Sequence, residues 1–201
     1  MSTHADFLFR GSLTELDPAV AQLIEYEAER QARKLILIPS ESSPPGAIRE
    51  AQGSVFQNIY AEGYPHPVTR EQSETEILDY ERQLTDYRRH SDRRYYKGVE
   101  YANVAEALAR RRCAEAFATD EVRAEDIYVN VQPLSGAPAN NAVYAALMKP
   151  GETLMGMSLL DGGHLTHGSP ANRSGQIYKS VSYSVDPETE RLDYDQIANL
   201  A

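Results

Sequence analysis

The sequence predicts an α/β fold in which a helical N-terminal arm precedes the first part of a large sheet-centred domain. Two observations support this prediction. The first half of the chain carries amphipathic patterns that begin at recognisable helix caps. From Ile127 onward, short apolar runs alternate with a helical pattern in the order strand, helix, strand, strand, which is typical of helices that cover a mostly parallel sheet.

The arm begins with an Asp-Pro pair at residues 17–18, a helix cap followed by proline at the first helical position. This pair predicts a helix to Lys34. The short apolar run at residues 35–38 predicts a strand. Residues 43–45, Ser-Pro-Pro, predict the start of a short helix that ends at Gly53.

Two further helices are predicted before the sheet begins. Residues 73–76, Ser-Glu-Thr-Glu, form a capping box, which predicts a helix to Arg89. Residues 104–117 predict the second helix, with Asn103 as its cap and Glu106 in the reciprocal position.

The sheet-centred part follows. Strands are predicted at residues 127–131, 153–157 and 177–183, and a helix at residues 137–148. Asp193 caps a last helix, and the sequence stops a few residues into it. We therefore expect the polypeptide to be the N-terminal portion of a longer protein.

Charge and composition disfavour several classes of protein. The net charge of −10 argues against nucleic acid or an anionic membrane as a main partner, since both need clustered Lys and Arg. No apolar run approaches the roughly 20 residues that span a bilayer, and the N-terminus lacks the pattern of a signal peptide. The single cysteine, Cys113, cannot form an internal disulfide, which fits a cytoplasmic location. Its place in an alanine-rich helical stretch predicts a small buried apolar side chain.

Residues 159–170 carry the densest set of chemically useful side chains. The segment holds two histidines, a carboxylate and three glycines. Glycine costs about 1 kcal/mol relative to alanine inside a helix. Gly162 and Gly163 therefore indicate backbone that bends or closely approaches another part of the chain.

An anion site is predicted about twenty residues earlier. Residues 129–141 have the pattern of a strand, a tight turn and the start of a helix. The amides of Ser135, Gly136 and Ala137 lie at that helix start, where unpaired N–H groups and the helix dipole both favour negative charge. The two segments together suggest a phosphorylated cofactor that an imidazole faces.

Six short segments occur in a fixed order along the chain. They are L-I-P-S-E at residues 37–41, Y-A-E-G-Y-P at 60–65, R-Y-Y-K-G-V-E-Y at 94–101, Q-P-L-S-G-A-P-A-N at 132–140, G-G-H-L-T-H-G-S-P at 162–170 and V-D-P-E-T at 185–189. In this order they resemble the serine hydroxymethyltransferase family, whose members are pyridoxal-phosphate enzymes of fold type I. We call four of them the Y-A-E-G-Y-P loop, the R-Y-Y segment, the Q-P-L-S-G segment and the G-G-H loop.

The resemblance implies three regions. Residues 1–65 form the helical arm with the Y-A-E-G-Y-P loop, and residues 94–201 form the first part of the large cofactor-binding domain. Residues 66–93 are an insertion of 28 residues, where the family usually has about two. The capped helix in the insertion leaves three interpretations open: a solvated surface helix, a lid or a subunit contact.

The resemblance also implies how the cofactor is held. Ser135, Gly136 and Ala137 would bind the phosphate of pyridoxal phosphate, and His164 would stack on its ring as a catalytic residue. Tyr60 would reach the phosphate across a subunit boundary. The whole protein is expected to be a homodimer or a dimer of dimers.

Glu62 is the second catalytic residue that the resemblance implies. A glutamate held among aromatic side chains can have a raised pKa and so exchange protons near neutral pH. By resemblance it serves both the amino acid and tetrahydrofolate, the co-substrate. The other implied substrate residues are Ser40, Tyr60 and Tyr96, and the other implied folate residues are Leu159, Gly163 and Leu165.

Several positions depart from the family pattern or suggest another chemistry. Asp161 replaces a histidine, Lys97 replaces a glycine, and Pro138 removes one amide from the phosphate site. Asp161, His164 and His167 have the spacing of metal ligands on a helix, but the glycines argue against a helix and no fourth ligand is near. We therefore expect no metal.

The expected function is that of the N-terminal portion of a serine hydroxymethyltransferase, which interconverts serine and glycine. The family's Schiff-base lysine lies in a T-T-T-H-K segment, and neither Lys149 nor Lys179 has that context, so we expect this chain alone to be inactive. Two alternatives stay open. One is a folate-independent β-hydroxy-amino-acid aldolase or transaldolase on the same scaffold, and the other is a non-catalytic half-length binding partner.

Overall fold

The computed structural model describes residues 11–90 and 94–201. The chain divides into two compact units, Met1–Ile59 and Tyr60–Ala201. Together they contain helices and a small parallel sheet, as the predicted α/β class requires. Within the described residues, no helix is both long enough and apolar enough to cross a membrane.

The first unit is helical. The carboxylate of Asp17 accepts a hydrogen bond from the amide of Val20 at 3.1 Å, and the helix that it caps begins at Pro18. The cap predicted from the sequence is therefore confirmed. The elements of this unit are α1 (Leu13–Leu16), α2 (Pro18–Arg33), α3 (Gly46–Gln52) and a 3₁₀ turn (Val55–Asn58).

The strand predicted at residues 35–38 is wrong. Leu35 and Leu37 are 85% and 81% exposed, and no described residue pairs with this run. A strand exists only where a neighbouring strand accepts and donates its backbone hydrogen bonds. An apolar run therefore cannot form one without such a neighbour.

In the second unit, the segment predicted as an insertion contains a 3₁₀ turn (Pro67–Arg70) and two helices, α4 (Glu74–Ile77) and α5 (Tyr80–His90). The capping box is confirmed, because the Ser73 hydroxyl and the Glu76 carboxylate each accept the other residue's amide. A single helix to Arg89 is wrong. The carboxylate of Asp79 accepts from the amide of Arg82 at 3.1 Å, and this second cap starts a new helix after α4.

This segment packs on the next helix, α6 (Glu100–Phe117). Ile77 is fully buried against Val104 and Ala107 of α6. At the edge of this contact Arg112 binds Glu74 at 2.6 Å, and that hydrogen bond lowers the pKa of the Glu74 carboxyl. The segment thus supplies the most buried apolar side chain of the described chain, which a fully solvated surface helix would not do.

The predicted cap of α6 is also wrong. The helix begins at Glu100, three residues before Asn103, and Val99 at its N-cap makes no side-chain capping bond. Asn103 and Glu106 instead direct their side-chain oxygens at the guanidinium of Arg94. The i, i+3 spacing that resembles a cap places both acceptors on one face of the helix.

The sheet contains two parallel strands, β1 (Thr153–Met157) and β2 (Lys179–Tyr183). Their register pairs the first residue of β1 with the first of β2, and the last with the last. The strand at residues 153–157 is confirmed, whereas the strand predicted from Ile177 starts two residues later, because Ile177 ends a short helix. The strand predicted at residues 127–131 pairs with no described residue and is wrong.

Three helices complete the second unit. The predicted helix at residues 137–148 is confirmed with small shifts at its ends, and the Asp193 carboxylate caps the last helix by accepting two amides at 3.0 Å. These helices are α7 (Gly136–Leu147), α8 (Arg173–Ile177) and α9 (Tyr194–Leu200).

The first two glycines of the G-G-H loop are explained by the turn after β1. Gly162 has a φ of 104°, in the region that favours glycine. A Cβ on Gly163 would overlap the carbonyl oxygen of Met157 and lie 2.8 Å from that of Ser158. Both obstacles are backbone atoms, so the expected close approach is confirmed.

We predict that Gly163→Ala destabilises the protein by about 1–3 kcal/mol, the usual cost of forcing atoms into a packed site. The measurement is the free energy of unfolding from denaturant titration. Gly136→Ala is the matched control, since no atom lies within 4 Å of a Cβ at that position. Equal stability of the two variants would contradict the close approach.

Candidate active site

The Y-A-E-G-Y-P loop is held through its backbone. Nη1 of Arg94 donates hydrogen bonds to the carbonyl oxygens of Ala61 and Gly63, the latter at 2.8 Å. The amide of Tyr95 donates to the carbonyl oxygen of Glu62 at 3.2 Å. Three consecutive carbonyls, with Glu62 in the middle, are therefore fixed by the start of the R-Y-Y segment.

The same guanidinium is anchored to α6. Nε of Arg94 donates to Oδ1 of Asn103 at 2.6 Å, and Nη2 donates to Oε2 of Glu106 at 2.6 Å. The side chain of Arg94 is 0% exposed and that of Glu106 is 12% exposed. Since a buried charge is tolerated only when it is paired and hydrogen-bonded, this ion pair commits both residues to their positions.

Gln132 brings the Q-P-L-S-G segment to the same place. Its Nε2 donates to the carbonyl oxygen of Gly63 at 2.6 Å and to Oε1 of Glu106 at 3.0 Å. Three of the segments quoted from the sequence therefore meet around one ion pair.

Gly63 allows the loop to lie against Arg94. Its φ is 107°, and a Cβ there would lie 2.9 Å from Cα of Arg94. A side chain would be strained by the backbone conformation and would also collide with the backbone of the R-Y-Y segment. This position therefore requires glycine.

The loop leaves Glu62 on the surface of the described chain. Glu62 is exposed, and Tyr60 and Tyr96 are 69% and 49% exposed. The two tyrosine rings contact each other edge to face, with centroids 5.1 Å apart. The described residues therefore bring Tyr60 and Tyr96 together beside the loop but do not bury Glu62.

The predicted anion site lies at the start of α7. Ser135 is the N-cap residue and makes no side-chain capping bond, so its hydroxyl is available. The amides of Gly136 and Ala137 belong to the first turn of the helix, where they have no intrahelical acceptor. No atom lies within 4 Å of a Cβ on Gly136. An open N-terminus with a hydroxyl and two amides fits a phosphate group.

His164 has a defined tautomer. Its Nδ1 accepts the amide N–H of Thr166 at 3.2 Å and lies 2.8 Å from Oγ1 of the same threonine. Because an amide can only donate, Nδ1 carries no proton and the neutral ring is protonated at Nε2. The His164 ring is exposed and meets His167 edge to face at 5.8 Å.

Thr166 connects this loop to the helix that begins at the predicted anion site. It is fully buried, and its Oγ1 accepts a hydrogen bond from Nδ2 of Asn140 at 2.7 Å. The hydroxyl of Tyr144 donates to the Thr166 carbonyl at 3.0 Å. Asn140 and Tyr144 both belong to α7, so the helix that presents the anion site also fixes the loop that carries His164.

A cavity of about 360 Å³ lies beside His164. Leu159 lines it together with Met157, Ser180 and Ser182, whereas Leu165 does not. Gly163 is buried against the end of β1, and Ser135, Gly136 and Ala137 are not part of this cavity's lining. Ser40 lies in the first unit and is exposed.

Five residues that hold the site were not predicted from the sequence to be part of it, and Glu106 was predicted only as part of a helix cap. Each is a polar residue inside or beside a quoted segment, and none carries a pattern that separates it from an ordinary surface residue. They are Arg94, Glu106, Gln132, Asn140 and Thr166. As for metals, residues 11–90 and 94–201 contain no group of three or more His, Cys, Asp or Glu side chains that could hold an ion.

Comparison with known proteins gives the family. The family model described as "Serine hydroxymethyltransferase" matches residues 13–91 and 89–201. A serine hydroxymethyltransferase of Kocuria rhizophila is 47% identical over 189 residues, which is 94% of this chain and 37% of the relative. The chain thus spans little more than a third of that relative's length. It belongs to the serine hydroxymethyltransferase family.

Proposed function

We propose that the complete protein is a pyridoxal-phosphate-dependent transferase of fold type I that interconverts serine and glycine, with tetrahydrofolate as the one-carbon acceptor. One observation carries the proposal beyond family membership. Two hydrogen-bond networks, around Arg94 and around Thr166, hold the four segments that the function needs.

The chain offers a fitting site for the cofactor. Ser135, Gly136 and Ala137 bind the phosphate through a hydroxyl and two amides, and the exposed ring of His164 stacks on the pyridine. Bound pyridoxal phosphate supplies an electron sink for bonds at the α-carbon of the amino acid. Tyr60 reaches the phosphate of a neighbouring subunit in a homodimer or a dimer of dimers.

Other residues of this chain bind the two substrates and transfer a proton. Glu62 accepts and returns a proton at the hydroxyl of serine and at the folate, while Ser40, Tyr60 and Tyr96 line the amino-acid site. Leu159, Gly163 and Leu165 belong to the folate pocket. Leu159 supports this assignment because it shares the cavity beside His164.

We place the protein in the cytoplasm and propose that residues 1–201 alone are inactive. Lys149 and Lys179 are exposed and lie outside any segment that resembles T-T-T-H-K, so neither suits the covalent attachment of the cofactor.

A folate-independent aldolase or transaldolase is the second candidate. Asp161 ends the short turn that begins at Leu159, one of the residues beside His164. A carboxylate there adds negative charge near the proposed folate pocket and would favour a different acceptor. Glu62 distinguishes the two candidates.

We predict that Glu62→Gln in the complete protein lowers the serine–tetrahydrofolate reaction by about 10²–10⁴-fold, the usual value of general acid–base catalysis. Cofactor binding is expected to be nearly unchanged, because the phosphate site is on α7. The folate reaction and the folate-free cleavage of a bulky β-hydroxy amino acid are measured side by side.

Glu121→Gln, which alters another exposed loop glutamate, is the control and is expected to leave both rates unchanged. An equal fall of both reactions in Glu62→Gln favours the aldolase. No change in either reaction contradicts the catalytic role of Glu62.

We also predict that His164→Ala in the complete protein weakens cofactor retention and lowers turnover, because one face of the ring loses its stacking partner. Cofactor absorbance is measured after dialysis, followed by the rate of the serine reaction. His90→Ala, an exposed histidine at the end of α5, is the matched control. Full retention and an unchanged rate in His164→Ala would refute the assignment.

A further inference from the structure

The hydrogen bonds of the Y-A-E-G-Y-P loop converge on the peptide groups around Glu62. Arg94 binds the carbonyls of Ala61 and Gly63, and the Tyr95 amide binds that of Glu62 itself. Because each peptide group is planar, fixing three successive carbonyls fixes the backbone dihedrals between them. The direction in which the Glu62 side chain leaves the backbone is therefore set by these contacts.

Only an arginine can make this arrangement. One planar group donates from Nε to Asn103, from Nη2 to Glu106 and from Nη1 to the loop. A lysine ammonium has three donors on a single atom and cannot reach acceptors on opposite sides of a fork. The guanidinium thus transfers the rigidity of α6, a helix of 18 residues, to the loop.

Burial of the ion pair between Arg94 and Glu106 makes any other arrangement of these two side chains costly. The Arg94 side chain is 0% exposed and its ion-pair partner Glu106 is 12% exposed, so moving either away leaves an unpaired charge inside the protein. Gln132 closes the network, because it binds both Gly63 and Glu106. A shift of the loop would therefore break several bonds at once.

We infer that Arg94 is a positioning residue that holds the Glu62 carboxyl where it exchanges a proton with the substrate. The inference rests on the function proposed above. Arg94 acts through the loop backbone, so its contribution to turnover depends on the presence of the Glu62 carboxyl.

The test is a double-mutant cycle in the complete protein. Arg94→Lys is expected to lower kcat of the serine–tetrahydrofolate reaction by about 10–100-fold, since misplacement of a reacting group by about 1 Å costs up to about that factor. KM for serine is expected to change much less. In a Glu62→Gln background the same Arg94→Lys substitution is expected to lower kcat by less than about threefold, because no carboxyl is left to position.

If Arg94 had a purely structural role, the double-mutant cycle would give a different result. Arg94→Lys would then lower kcat by the same factor in both backgrounds, and this result would overturn the inference. Arg111→Lys is the matched control. Arg111 is a largely buried, doubly ion-paired arginine of α6 that binds Glu115 and Glu125, and its substitution is expected to leave kcat unchanged.

A second readout does not depend on activity. Amide hydrogen exchange of a peptide that contains Tyr95, whose N–H donates to the carbonyl oxygen of Glu62, is expected to be at least about tenfold faster in Arg94→Lys than in wild type, and unchanged in Arg111→Lys. Unchanged exchange in Arg94→Lys overturns the positioning role. Absence of serine hydroxymethyltransferase activity from the wild-type protein overturns the proposed function instead, so the two failures are distinguishable.

Glu106→Gln is the milder variant if Arg94→Lys does not fold. It keeps an acceptor for Nη2 but removes the charge, so faster exchange in the same peptide and a smaller fall in kcat are expected. Wild-type exchange and wild-type kcat in Glu106→Gln would overturn the inference.

Discussion

A buried ion pair is the constraint on which the candidate site depends. The guanidinium of Arg94 is withdrawn from solvent beside Glu106, and such a charge is stable only while its donors are satisfied. Within the part of the chain that the structure describes, its acceptors lie on α6 and on the Y-A-E-G-Y-P loop. Positions that lie far apart in the sequence are therefore held together by one side chain.

A network of uncharged hydrogen-bonding groups around Thr166 holds together the part of the site that contains His164. Thr166 is fully buried and binds Asn140, Tyr144 and His164. Because Asn140 and Tyr144 lie on α7, the predicted anion site and the His164 ring belong to one hydrogen-bonded assembly. The described chain thus builds two preorganised halves, one around Glu62 and one around His164, without burying either of these two side chains.

Local signals predicted local structure well. The caps at Asp17, Ser73 and Asp193 are confirmed, because a cap is formed by residues within three positions of each other. The strands predicted at residues 35–38 and 127–131 are wrong, because a strand needs a hydrogen-bonding neighbour that an apolar run does not specify.

The sequence pattern was least informative where a side chain has a distant partner. Asn103 and Glu106 have the spacing of a helix cap, yet both lie inside the helix and their side chains bind Arg94. The glycines were more reliable guides. Gly163 was expected to mark a close approach, and it lies against the backbone at the end of β1. Family resemblance supplied the roles proposed for Glu62 and His164, which no local pattern gives.

A crystal structure of the complete protein with its cofactor tests the central claim most directly. We predict that Nη1 of Arg94 stays within about 3.2 Å of the carbonyl oxygens on both sides of Glu62. A guanidinium that faces solvent, or carbonyls more than about 4 Å away, would contradict the account.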